Sequence, residues 1–162
     1  MTLQEKLEKV EIVLPEIDRL CKTRQSALMT LIGTIIAENG SPNEPSLIST
    51  KQLSDAMEGD TPAAKKFRRA DTTLRERLHS MPCQVVSTMT ALMLTGIALR
   101  SPTIDNNAER FDYFDYYNRC ENIYCVHGHV RMHECVDVLV NKCPRLTSHV
   151  RCALNAIRRE KE

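Results

Sequence analysis

The chain has 162 residues, 42 % hydrophobic and 27 % charged, with a formal net charge of +1. That length suits one domain that can bury a core without a metal or disulfides to hold it. The near-neutral charge argues against a surface given over wholly to nucleic acid or acidic membrane. Aromatic residues are only 4 % and Trp is absent, so helix formers outweigh strand formers.

Thr2 and Glu5 make a capping-box pattern at the start of the chain. No basic segment leads into an apolar run there, so no secretory signal is expected. With an odd count of seven cysteines, the expectation is reduced thiols in the cytoplasm.

The first element is a long heptad helix. Leu3, Leu7, Val10, Leu14, Ile17, Cys21, Arg24, Leu28, Leu31 and Ile35 follow a 4-3-4-3 spacing. As one straight helix, residues 3–35 would reach about 50 Å, against a diameter of about 40 Å for a compact chain of this size. Two outcomes follow. Pro15, which lacks an amide donor, kinks or splits the helix, or part of the helix projects and pairs with a second copy. Arg24 is out of place on an apolar seam. The residues of self-association would be Leu14, Ile17, Cys21, Arg24, Leu28, Leu31 and Ile35.

Asn39-Gly40-Ser41-Pro42 breaks the helix and opens a loop over 40–48. Ser49 or Thr50 caps a short helix to about Met57. Gly59 stops it, and Asp60-Thr61-Pro62 starts another that runs to about Ser80, with Ala64, Phe67, Leu74 and Leu78 inward. This helix–turn–helix outline carries Lys65, Lys66, Arg68 and Arg69 on its second helix, which makes DNA a candidate partner. Glu58, Asp60 and Asp71 dilute that potential, and a solvated amphipathic face reads the same way.

The run from Val85 to Leu99 has no charge, yet is shorter than a membrane span and dotted with Ser and Thr. It reads as the buried central helix. After Ser101-Pro102 a helix is expected from about Asp105 or Asn106, carrying Phe111, Phe114, Tyr117 and Ile123. Gly128 interrupts the pattern, which resumes with Val130, Val136, Leu139 and Val140 and stops at Cys143-Pro144. The last helix, about 146–159, aligns Leu146, Val150, Ala153, Leu154 and Ile157 on one face.

The strongest compositional anomaly is the soft-donor cluster. Nine of the 33 residues from Cys120 to Cys152 are Cys or His. Candidate zinc ligands are His129, His133, Cys125 and Cys135. On one continuous helix Cys125, His129 and His133 stand at i, i+4, i+8. The outer two are then about 12 Å apart and cannot share one ion. A break at Gly128 would free Cys125 and His127 to fold toward His133 or Cys135. Paired Cys-x-x-Cys knuckles and His-Glu-x-x-His are absent, and the plain reading is a half-buried helix face rich in thiols and imidazoles.

No Gly-rich phosphate loop, nucleophile elbow or framed carboxylate pair is present. The expectation is therefore an all-α, single compact domain over 1–162 with seven or eight helices. It would be a non-enzymatic interaction or regulatory module, self-associating or bound to another protein through the heptad helix and the aromatic stretch 111–124. A DNA-binding regulator and a zinc protein are the alternatives; otherwise no cofactor is expected, and no membrane.

Overall fold

A computed structural model of the chain describes residues 1–39, 48–101, 112–126 and 129–160, excepting the side chains of Asn39, Val126, His129 and Glu160. The described residues form seven helices and one two-residue antiparallel ladder. The expected loop over 40–48, apart from Ile48, the helix start near Asp105, and Phe111, His127 and Gly128 lie outside them.

Helix α1 spans Leu3–Asn39, with the Thr2 hydroxyl accepting from the Glu5 amide at 3.2 Å. It is not split at Pro15. The proline is exposed, as is Glu11, whose carbonyl loses its amide partner. An orphaned acceptor at the surface can turn to water, so the break costs little there. At 1.5 Å per residue α1 is about 55 Å long, and two separate cores accommodate that length.

The larger core takes Leu7, Val10, Leu14, Ile17, Leu20 and Cys21 of α1. The smaller takes Ala27, Leu31 and Ile35, packed with Ala64 and Phe67. Arg24 falls between the two. Its guanidinium pairs with Asp71 at 2.8 Å and lies over the Phe67 ring at 5.0 Å. The residue that broke the seam marks the boundary between cores. Of the seam, Leu14, Ile17, Cys21, Leu31 and Ile35 are buried against this chain's own helices, and Leu28 is half-buried in the smaller core.

Helix α2 (Thr50–Met57) opens on a complete capping box between Ser49 and Gln52. Helix α3 (Pro62–His79) is capped by Thr61, with Pro62 in its first turn. Ala64, Phe67, Leu74 and Leu78 are buried as the pattern implied. Helix α4 (Cys83–Leu99) is the centre of the molecule, packed against α1 and against all three helices that follow it. Its buried hydroxyls are satisfied locally: Thr90 donates to Val86 O at 2.9 Å and Thr95 to Ala91 O at 2.7 Å. Among the described residues no single helix is long and apolar enough to cross a membrane.

Helix α5 (Tyr113–Tyr124) is capped by Asp112. The chain then folds back in a short ladder, β1 (Cys125–Val126) against β2 (His129–Val130), with Cys125 opposite Val130. The soft-donor stretch is thus not one helix. Helix α6 (Met132–Asn141) and helix α7 (Leu146–Glu160) complete the fold, with a cis Cys143–Pro144 peptide between them. Leu146, Val150, Ala153, Leu154 and Ile157 are all buried, as their spacing required.

Candidate functional site

The close approach of α4 and α7 positions the site. A Cβ at Gly96 would lie 1.9 Å from the His149 carbonyl oxygen, so only glycine lets the α4 backbone meet α7 at this point. One turn later on α4, Arg100 reaches the start of α7. Its guanidinium donates to Ser148 Oγ at 2.8 Å and to Ser148 O at 3.1 Å. Pro144 cannot continue α6, and the Lys142 and Cys143 amides close the last turn onto Leu139 and Val140 at 3.1 and 3.2 Å.

Together these elements line an open cleft of about 780 Å³, into which α4 brings Arg100, the α6–α7 turn Lys142, Cys143 and Arg145, and α7 Ser148 and His149. No carboxylate lines it among the described residues. The positive end of α7 lies at the same place. The Asp18 carboxylate, on the α1 side, accepts from Thr147 Oγ1 at 2.6 Å. Burial, then the charges of Arg100, Arg145 and Lys142, push the His149 imidazole below its usual range, so it is largely neutral at neutral pH. Its Nδ1 is buried and has no hydrogen-bond partner among the described residues.

Cys143 adds a thiol to this cleft. Its Sγ lies 2.8 Å from Sγ of the fully buried Cys21 on α1. The hydrogen-bond contact with Cys21, then Arg24 and Arg75, favour the Cys143 thiolate, while burial and Asp71 oppose it; the net shift is downward. The Cys21 thiol is pushed up by the same contact and by burial.

Of the residues singled out as metal ligands, the His129 side chain lies outside the described residues, and the other three are placed as follows. Cys135 is fully buried on the core side of α6, and burial raises its thiol to about 11. Cys125 is half-buried in β1 and His133 is exposed. Among the described residues no three His, Cys, Asp or Glu side chains group to hold an ion. The imidazole beside His133 is His79, from the end of α3, at a ring separation of 5.1 Å.

The basic residues of α3 divide. Lys65, Lys66 and Arg69 are exposed. Arg68 instead turns inward and donates to Met57 O at 2.7 Å and Gly59 O at 2.6 Å, stapling the turn between α2 and α3. Of the aromatic stretch, Tyr117 is fully buried and Tyr113, Phe114 and Tyr116 pack on the larger core.

The cleft is not legible in the sequence because its residues come from two segments far apart in the chain, 97–101 and 141–149. The available signal was Lys142 and Arg145 flanking Cys143-Pro144, two cations beside a helix start. Compared with known proteins, the chain matches no family model, no curated protein and no solved structure.

Proposed function

We propose that this protein works by binding, as a non-enzymatic helical module, and that the cleft between α4 and the α6–α7 turn receives a small phosphate-bearing ligand. One observation carries the reading: Arg100, Lys142 and Arg145 converge with the start of α7 on a cleft lined by no carboxylate among the described residues. Such cations repel one another until an anion enters, and their charges add to burial in lowering the His149 imidazole. Ser148 and the first amides of α7 supply the donors that orient phosphate oxygens. All seven cysteines are unpaired, which fits a cytoplasmic setting.

Calorimetric titration with pyrophosphate at low salt tests this. Binding in the submillimolar range is expected, about 5 kcal/mol or more, weakening as salt rises. The double variant R100E/R145E should abolish it while circular dichroism stays unchanged. Absence of binding at millimolar pyrophosphate, or equal binding by the double variant, overturns the proposal.

A second reading, binding of duplex DNA by α3, rests on the exposed Lys65, Lys66 and Arg69 beside the α2–α3 turn. Fluorescence anisotropy with labelled duplex separates the two. Lys66→Glu/Arg69→Glu should remove duplex binding and leave pyrophosphate binding intact, whereas duplex binding unchanged by that pair counts against α3.

A further inference from the structure

We propose that Cys21 and Cys143 are a redox-modification site: a dithiol that low-molecular-weight disulfides oxidise to a reversible intramolecular disulfide tying α1 to the α6–α7 turn. The sulfurs are 2.8 Å apart, inside the distance at which two unbonded sulfur atoms ordinarily rest, and they come from residues 122 positions apart in sequence. The fold therefore holds them together through its own packing. The other five cysteines are unpaired as well, but no other pair of sulfurs is in hydrogen-bond contact among the described residues.

The two thiols differ in a way that assigns their roles. Cys143 is half-buried and opens on the cleft, so a reagent in solution can reach it. Cys21 is 0 % exposed and can be reached only by its neighbour. The charged groups facing the pair are Asp18 and Arg24 from α1 and Asp71 and Arg75 from α3. Their arrangement, with the Cys21 contact, favours the thiolate on Cys143 and the protonated thiol on Cys21. An accessible thiolate beside a buried resolving thiol is the division of labour that thiol–disulfide exchange requires.

The Cys143 thiolate attacks one sulfur of a disulfide RSSR. The S–S bond breaks and its electron pair leaves on RS⁻, which takes up the proton that Cys143 has lost. Cys21 sulfur then attacks Cys143 Sγ of the mixed disulfide and expels the second RS⁻, which receives the proton of Cys21. The protein dithiol has lost two electrons and two protons, and RSSR has become two molecules of RSH.

The test uses the full chain and the uncharged reagent 2-hydroxyethyl disulfide with its thiol in graded ratio, so the result does not depend on any anion entering the cleft. Free thiols are trapped by alkylation, and digested peptides are read by mass spectrometry. A Cys21–Cys143 linked peptide should appear before any other cysteine changes. The linked protein should melt about 5 °C or more higher, because the bond closes a long loop. Cys143→Ser removes the half-buried sulfur at the edge of the larger core and should abolish both the linkage and the shift. Cys21→Ala should do the same for the linkage. Recovery of Cys21 and Cys143 as alkylated thiols in the most oxidising mixture, a first linkage between other cysteines, or a melting shift that persists in Cys143→Ser would overturn it. A failed pyrophosphate titration leaves this outcome untouched.

Discussion

Two glycines carry opposite predictions. Gly96 faces the α7 backbone, which cannot retreat as a side-chain tip could. Gly96→Ala should cost about 3 kcal/mol, the upper end of overpacking penalties, or prevent folding, as read from urea unfolding. Gly33 lies exposed in α1, and a methyl group there would have nothing within 4 Å. Gly33→Ala should therefore stabilise by roughly 0.5–1 kcal/mol, because alanine gives up less backbone freedom on entering a helix. Asp18 carries a pH prediction. Its carboxyl is held below the ordinary 3.8 by the Thr147 hydroxyl and then Lys22. A depressed folded-state pKa contributes stability above the unfolded value and loses it as pH falls through the folded one. Asp18→Asn, which keeps an acceptor for Thr147, should therefore cost about 1 kcal/mol at neutral pH. Wild type and variant should converge as pH falls below 3.8 and through the depressed folded-state value. A difference that survives at low pH would show that charge is not its source.

At the scale of elements, α2 is the weakest piece. Its eight residues include none that is buried, and helices this short are marginal unless packing or caps hold them. The Ser49–Gln52 box secures one end and Arg68 the other. Arg68→Ala should speed amide hydrogen exchange in α2 by roughly tenfold, for a loss of about 1.4 kcal/mol in local opening, and leave α4 amides unchanged. Equal acceleration in α4 would mean that Arg68 supports the whole fold. Arg68 is not distinguishable from Lys65, Lys66 and Arg69 by sequence. All four sit on one short basic stretch, and only the position of the preceding turn decides which one is consumed by carbonyl oxygens.

For the whole molecule, α1 acts as a shared beam between two cores. A heptad seam serves a partner helix in another chain or in its own equally well, since knobs-into-holes packing does not register connectivity. Here α3, α4 and α7 cover it. Ile17→Ala should lower stability by about 2–5 kcal/mol, and that loss should be the same at dilute and concentrated protein. A dimer held by the seam would instead show stability rising with concentration, and such a result would reopen the question of what covers α1.

Local pattern alone determined the all-α class, the cap at Thr2, the buried centre at α4 and the inward face of α7, and it narrowed the next two caps to Ser49 or Thr50 and Asp60 or Thr61. These depend on residue spacing and on groups within one turn of each other, which a linear chain states directly. Tertiary structure alone decided that Pro15 would not split α1, that Arg24 would mark a boundary between cores, and that the soft-donor stretch would fold back instead of lining up its ligands. It alone brought Arg100, Lys142 and Arg145 to one cleft and Cys21 to Cys143. The reason is the same in each case: charge, solvent access and thiol chemistry depend on neighbours through space, and those neighbours are set by how helices distant in sequence pack.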